Sequence, residues 1–583
     1  MLAGLTRTMR LIEAIEINHA AVGDGAAHRT FALACGFEAL HLRSFLNAYL
    51  CLAFPGEKVS VAVGRFGDLA GNIERATAGD PTGAAVVIEW PDLDPRLGLR
   101  QLAGWTPDLV EDIHRTVELN LGRIQAALGQ IVKSCPVALC LPTLPLPPLG
   151  WTRTSQAAAF ELELAAQAAE LGKWAASNRR LRVANPEKLD RISPRGTRRD
   201  AACDLFNGFP YSHAHADAVA SVLAALLWDP PAKKGLITDL DGVFWRGILG
   251  EAGVAGVSWD MLGHAQIHGM YQEVLKSLAA RGVLIGVASK NDAALVQEAF
   301  QRPDLRCPAE RIYPICAHWR PKSESVSEIL REWNIAADAV VFVDDSPMEL
   351  AEVKTVHPGI ECLLFSQNPG ELLPLLESLR DWFGNDAASP EDLIRSQSIR
   401  SAAVWRAAVS GPNAAFEEFL SQTGAHLKLC IGKPGESRRA FELANKTNQF
   451  NLNGRRYTET EWDAYLARPG TFLATIAYQD KFGPLGVIMA ALGEAERDCV
   501  RLDAWVMSCR AFARRIEHQF VRLLFSQYGA AEIVFDYAET ARNSPLREFL
   551  AAFHRPAAGF RLGKEEFERA CPRLFHSLEM VQQ

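Results

Sequence analysis

Two carboxylates one residue apart, Asp239 and Asp241, stand in the run Gly-Leu-Ile-Thr-Asp-Leu-Asp-Gly-Val-Phe-Trp-Arg-Gly-Ile-Leu-Gly from Gly235 to Gly250. Carboxylates can attack a phosphoryl group, move a proton or hold a divalent cation, and a pair at this spacing could do more than one of these. Further polar clusters follow: Ser289-Lys290-Asn291, then Lys322, then Asp344-Asp345-Ser346-Pro347-Met348-Glu349. A hydroxyl, an ammonium and more carboxylates are the groups needed to orient and neutralise phosphoryl oxygens.

The elements around them explain how they could meet. Leu236 to Asp239 is an apolar run too short for a helix, entering a Gly-rich turn, and reads as a buried strand. Val283 to Ala288 and Ala339 to Val343 read the same way, with helices expected at Gln266 to Arg281, Asp292 to Phe300 and, just after Lys322, Val326 to Trp333. Each polar cluster is thus expected at the C-terminal end of a strand. In a parallel sheet those ends form one ligand-binding edge. Only about fifty residues separate Asp241 from Ser289, enough for a short flap and one helix but not for a large cap.

Asp239 and Asp241, Ser289, Lys322, and Asp345 with Glu349 resemble, in order, the motifs of the haloacid-dehalogenase superfamily. The resemblance implies Asp239 as nucleophile, forming an aspartyl-phosphate, and Asp241 as the group that protonates the leaving oxygen and later activates water. It implies Mg2+ held by Asp239, the backbone carbonyl of Asp241 and Asp345, with Asp344 and Glu349 as further candidates for metal support. Ser289 would donate to a phosphoryl oxygen and Lys322 would neutralise charge. The wider words Ala288-Ser289-Lys290-Asn291, Trp319-Arg320-Pro321-Lys322-Ser323-Glu324 and Phe342-Val343-Asp344-Asp345-Ser346-Pro347 are similar to the FkbH-like branch, subfamily IIIC. Gly242-Val243-Phe244 departs from that branch's usual wording.

Residues 1–228 alternate strand-like runs (Val59 to Val63, Ala84 to Glu89, Cys135 to Leu141) with helical stretches such as Trp105 to Val132 and Ala157 to Asn178, a three-layer α/β pattern. The order resembles a degenerate SGNH-hydrolase fold. Ser44, Gly64, Asp92 and Ser212-His213-Ala214-His215 are the residues that could echo a hydrolase, without a G-D-S turn, a G-x-N-D or a D-x-x-H block. The alternative is a scaffold or docking domain with two surface histidines. Asp229-Pro230-Pro231 reads as a linker, which places a phosphatase-like domain over 232–372.

The third domain, 380–583, opens with a charged helical stretch at Pro390 to Ser410. The amide-rich segment Leu443 to Leu452, with Asn448 inside it, reads as a turn rich in hydrogen-bond donors. Strands at Thr471 to Tyr478, Leu485 to Leu492 and Val500 to Met507 lead into Ser508-Cys509-Arg510-Ala511-Phe512-Ala513-Arg514-Arg515 and a helix to Tyr528. That order resembles a GNAT acyltransferase, which cradles a pyrophosphate or pantetheine arm on a helix N-terminus. Ala513 and Arg515 replace the usual glycines. Cys509, beside Arg510 and Arg514, is either an acyl-carrying nucleophile or an inert small core residue. Arg510, Arg514, Asn448 and Asn543 are the candidate cofactor-binding residues, the last in the family-like segment Thr540 to Pro545.

The chain of 583 residues carries a net charge of -8 with 48% hydrophobic and 22% charged residues, an ordinary globular composition without a basic run for nucleic acid. Its 12 cysteines lack metal spacing, and no apolar stretch suits a bilayer, so a cytoplasmic location and no membrane are expected. The FkbH-like resemblance implies loading of a glyceryl-type acyl unit from 1,3-bisphosphoglycerate onto the phosphopantetheine thiol of an acyl carrier protein in secondary metabolism. The alternatives are a stand-alone phosphatase of a sugar phosphate or similar metabolite, and a non-catalytic scaffold.

Overall fold

The computed structural model describes residues 8–20, 27–102, 105–228, 230, 232–384, 393, 395, 399–400, 413–432, 437–447, 449–496, 498–540 and 543–582. The chain divides into two compact units, Met1–Pro231 and Ala232–Gln583. The architecture is α/β, with two parallel-sheet cores and a third, mixed sheet.

In the first unit β1 (His28–Ala34), β2 (Lys58–Val63), β3 (Gly83–Val87), β4 (Val137–Cys140) and β5 (Leu181–Val183) form a sheet in the order β2-β1-β3-β4-β5. Every pairing is parallel. Alternation along the strands splits the core by face. Phe31, Leu33, Ala85 and Val87 pack with helices Leu40–Ala53 and His213–Trp228. Ala32, Ala34, Ala84 and Val86 pack with helices Pro107–Ser134 and Ala159–Ala176. The long helix buries Ile113, Val117, Leu121, Ile124 and Leu128, the stripe its three- and four-residue spacing predicts.

The second unit begins with β6 (Gly235–Thr238), β7 (Leu284–Ser289), β8 (Ile312–Ala317), β9 (Val340–Asp344) and β10 (Glu361–Leu364), parallel in the order β10-β9-β6-β7-β8. Helix Gln266–Ala280 covers one face and helices Lys322–Trp333 and Pro347–Val356 the other. A Cβ on Gly235 would come 2.5 Å from the Trp333 ring and one on Gly286 2.8 Å, so these glycines let the indole lie on the strands. Trp333 Nε1 donates to Tyr313 O at 2.7 Å, which fixes the end of the helix that Lys322 begins.

The same unit carries β11 (His426–Gly432), β12 (Phe450–Asn451), β13 (Thr471–Asp480), β14 (Gly483–Ala495), β15 (Cys499–Met507), β16 (Glu532–Phe535), β17 (Phe560–Gly563) and β18 (Ser577–Gln582). Seven run in the order β17-β16-β15-β14-β13-β11-β18, and β12 pairs with the end of β15. The amide-rich segment is not all turn: helix Ser437–Lys446 runs through Leu443, and β12 follows. Apolar residues on one helical face (Ala440, Leu443, Ala444) dock it on the sheet, which outweighs the turn preference of the amides. Most of 390–410 lies outside the described residues, but Arg395 there donates to Gly282 O at 2.8 Å.

Candidate functional site

All four polar clusters of the second unit meet at the carboxyl edge of its parallel sheet. Asp239 follows β6, and its N–H donates to Val343 O on β9 at 3.0 Å. Ser289 ends β7, and Asp344 ends β9. Ser346 caps helix Pro347–Val356, its Oγ accepting from the Glu349 N–H, so Glu349 lies in the first turn just past Asp345. Lys322 is the first residue of its helix, where sequence spacing had placed the helix start later.

Lys322 Nζ lies 2.8 Å from Asp239 Oδ2 and 2.6 Å from Asp344 Oδ2, and it also pairs with Glu349, whose other oxygen meets Lys290 Nζ at 2.9 Å. Lys322 is 3% exposed. Burial pulls its ammonium toward neutrality, but Asp239 and Asp344 outweigh that and hold it above its ordinary value. One buried ammonium cannot neutralise all three acids, so burial holds Asp239 and Asp344 above the usual carboxylate range. Glu349, facing two lysines and less buried, is pulled below it: desolvation opposes this, and the Lys322 and Lys290 hydrogen bonds win.

The Asp241 carboxylate has different partners. Its Oδ1 accepts from Trp245 Nε1 at 2.8 Å and from the Leu249 N–H at 3.1 Å, and its Oδ2 accepts from Asn291 Nδ2 at 3.0 Å. Trp245 belongs to a tight turn in which the N–H groups of Val243, Phe244 and Trp245 all reach Leu240 O. Helix Gln266–Ala280 anchors that turn, through His268 Nδ1 donating to Val243 O and Gln272 Nε2 donating to Phe244 O, each at 2.8 Å. Between Asp241 and that helix stands only a flap with a short helical segment, Leu249–Gly256, broken by a kink at Gly253 and joined to its base by the Arg246–Ser258 bridge.

Asp239, Asp344 and Glu349 offer oxygens close enough together for a cation, but the Lys322 ammonium already sits among them. The face that fits a divalent cation is the other one. Asp239 Oδ1 is buried without a hydrogen-bond partner. Asp345 stands over Gly242, where a Cβ would come 2.2 Å from its Oδ2. Gly242 is at φ +72, so the chain turns away there and leaves the Asp345 carboxylate room over the turn that follows Asp239 and Asp241. These oxygens, with the Asp241 carbonyl, are the hard donors such a cation takes.

Trp245, Leu249 N–H and Asn291 were not singled out from the sequence for this site. Asn291, two residues beyond Ser289 in a polar cluster, was the one signal that could have been followed.

In the first unit, His213 is exposed but His215 is fully buried, so the expectation of two surface histidines fails for the second. Two residues apart on helix His213–Trp228 they point to opposite sides. His215 Nε2 is 2.7 Å from Thr143 Oγ1 and Nδ1 is 2.9 Å from Ser193 Oγ, while Thr143 Oγ1 reaches Glu89 Oε1 at 2.6 Å. Burial pushes the His215 imidazole down to about 3. Ser44 lies within helix Leu40–Ala53 and Ser212 Oγ donates to Thr197 O, so neither meets His215 as a nucleophile would. Asp92 packs against Gly36, where a Cβ would come 1.8 Å from its Oδ1, and burial pushes it up to about 7. Gly64 packs against Asn72, which ties the loops after β1 and β2 by donating to Cys35 O and Arg65 O.

In the third sheet Cys509 opens a short 3₁₀ turn, Cys509–Ala511, and the following helix begins only at Ile516. The Cys509 side chain and Asn448 lie outside the described residues. Ala513 and Arg515 adopt φ +65 and +57, so the loop keeps the left-handed turns that glycines usually supply. Arg510 Nε donates to Ser508 Oγ at 3.3 Å. Arg514 is 2% exposed, donates to Arg510 O at 2.6 Å and lies 5.2 Å over the Tyr478 ring. Asn543 is fully buried, donating to Asn451 O at 3.1 Å and Ala538 O at 2.9 Å and accepting from the Thr540 N–H.

Among the described residues no helix is long and apolar enough to cross a membrane. No family model matches the chain, and no curated protein matches it. Among the solved structures similar to it are the following two. An uncharacterised protein from Corynebacterium glutamicum ATCC 13032 Kitasato aligns over 27% of this chain and 98% of its own, at 16% identity and a TM-score of 0.19. The N-terminal part of a Bacteroides fragilis protein, containing a phosphatase domain and complexed with Mg, aligns over 65% of this chain and 100% of its own, at 19% identity and a TM-score of 0.53. At that identity the likeness is one of fold, and the α/β fold built here around Asp239 is shared with a chain that contains a phosphatase domain.

Proposed function

We propose that the second unit is a Mg2+-dependent phosphatase of the haloacid-dehalogenase type. The observation that carries the reading is the convergence of Asp239, Asp241, Ser289, Lys322 and Asp345 on one sheet edge, with Asp239 Oδ1 buried and unpartnered. The shared fold with a phosphatase-containing chain complexed with Mg supports it.

In this reading Asp239 attacks phosphorus, the new P–O bond forms as the ester or anhydride bond breaks, and the leaving oxygen takes the electron pair and a proton from Asp241. Asp241 then accepts a proton from the water that attacks the aspartyl-phosphate, releasing inorganic phosphate. Ser289 donates to a phosphoryl oxygen, and Lys322 balances charge between nucleophile and phosphate. Asp239, Asp345 and the Asp241 carbonyl would hold Mg2+, which when bound offsets repulsion between carboxylate and phosphate.

The fuller reading is that the phosphorylated substrate is an acyl phosphate such as 1,3-bisphosphoglycerate, whose glyceryl-type acyl group passes to the phosphopantetheine thiol of an acyl carrier protein, with Cys509 as the intermediate thioester. It rests on the FkbH-like and GNAT-like resemblances, and on the left-handed loop kept at Ala513 and Arg515. Intact-mass measurement of enzyme and carrier protein after incubation with the acyl phosphate tests it. Mass added to neither, with Cys509→Ala as active as wild type, rejects the acyl-transfer half.

One observation favours the second reading, a stand-alone phosphatase. Phe450 and Asn451 pair with Met507 and Val506, and Leu452 N–H donates to Trp505 O at 2.9 Å. The chain itself thereby fills the strand edge leading to Cys509, along which an extended pantetheine arm would pair. Phosphate release from metabolites without carrier protein separates the two readings.

A further inference from the structure

The geometry points to Asn291 as a positioning residue that locks the phosphate-binding hydroxyl and the proton-handling carboxylate to one another, an assignment that rests on the phosphatase reading above. Asn291 is 3% exposed and lies just past the end of β7. Its Nδ2 carries two hydrogens and has two acceptors, Asp241 Oδ2 at 3.0 Å and Ser289 Oγ at 3.2 Å.

Each contact has a directional consequence. A hydroxyl that accepts from Asn291 keeps its own hydrogen to give, and Ser289 ends β7, the strand paired beside β6, which leads into Asp239. A phosphoryl group arriving at that edge meets a hydroxyl whose acceptor side is already taken by Asn291. Asp241, meanwhile, is held at both oxygens, by Asn291 on one and by Trp245 Nε1 and Leu249 N–H on the other. Asn291 touches neither the attacking oxygen nor the phosphorus, and it acts only through Ser289 and Asp241. It joins the two halves of a site that the chain builds from β7 and from the turn after β6.

The two halves matter differently for different leaving groups. Ethyl phosphate must expel a basic alkoxide, so breaking its P–O bond requires the proton delivered by Asp241. Acetyl phosphate expels a carboxylate, which carries the electron pair away with little need of a proton. Disordering Asp241 therefore penalises ethyl phosphate, whereas disordering Ser289 penalises both.

The test measures kcat and KM of the full chain with Mg2+ on both compounds, for wild type and for Asn291→Asp, which keeps the side-chain size and removes both donors. The expected result is a kcat loss on ethyl phosphate about tenfold or more larger than that on acetyl phosphate. Trp245→Phe, which removes one donor to Asp241 without touching Ser289, should show the split with less loss on acetyl phosphate, and it stands in if Asn291→Asp fails to fold. Equal losses on both compounds in these variants, or no loss, overturn the assignment alone. A wild-type chain inert toward both compounds removes the phosphatase reading and this assignment with it.

Discussion

Lys322 Nζ lies 2.8 Å from Asp239 Oδ2, at the first turn of a helix whose far end is pinned by Trp333. A helix N-terminus disfavours a cation, so the carboxylates of Asp239, Asp344 and Glu349 are what keep this ammonium in place. Lys322→Met leaves those acids buried without their counter-charge. The expected cost is about 3–5 kcal/mol, read as a lower urea midpoint, together with loss of turnover. A variant as stable as wild type contradicts the ion cluster.

On the proposed mechanism, Ser289→Ala removes one donor from the phosphoryl oxygens while the strand that carries it is otherwise unchanged. Turnover should fall by about 10²–10³-fold with the melting temperature nearly constant. Wild type should show a phosphorylated-enzyme mass in rapid-quench intact-mass spectra, and Asp239→Asn should abolish both that mass and turnover.

Gly242→Ala puts a methyl group on a residue at φ +72 and 2.2 Å from Asp345 Oδ2. The carboxylate must move from its place over Gly242. Mg2+ affinity in a calorimetric titration should weaken by roughly 10–100-fold, and chelator should silence wild type reversibly. Unchanged Mg2+ affinity in the variant places the cation elsewhere.

His215, held down to about 3 by burial, gives the first unit an acid-sensitive element. Because its folded value lies below its unfolded one, the stability it contributes is present above pH ~6.5 and is lost as pH falls through about 3, by up to about 1.4 kcal/mol per pH unit. Asp92, raised to about 7, acts with the opposite sign: its contribution is complete at low pH and is lost as pH rises through about 7. Wild type alone therefore shows a muted slope. Urea midpoints of His215→Asn should be lower at pH 7 but should fall less than those of wild type between pH 6.5 and 4.

Much of the proposed phosphoryl site was legible because three of its motifs follow an apolar run, and parallel strands bring such ends together whatever the order of the strands. Asp239, Ser289 and Asp345 needed no more than that, whereas Lys322 follows Trp319-Arg320-Pro321 and begins a helix. Asn291 and Trp245 were hidden because their significance lies in a contact across the flap with Asp241, and sequence distance says nothing about it. The burial of His215 was hidden in an alanine-rich helix with little contrast between its faces. In the third sheet β11 and β16 to β18 escaped notice, since they are short or alternate weakly and take their identity from partners far along the chain.

Asn543 illustrates that last point. It grips Asn451 O and Ala538 O from a fully buried position, and Asn543→Ala should destabilise by about 1–3 kcal/mol in equilibrium unfolding followed by tryptophan fluorescence. A variant unchanged in stability would free Asn543 for a direct role toward a ligand.

The parallel pairing of β18 with β11 joins residues such as Ser577 and Ala425, 152 positions apart. Until that distant segment is made and docked, β11 has an open edge of backbone donors and acceptors. Closing so long a loop is slow relative to forming the hairpin of β13 and β14. The mixed sheet should thus be the late-folding part of this chain, assembled from its centre outward, and its edges are where a nascent or heat-stressed molecule is exposed to aggregation.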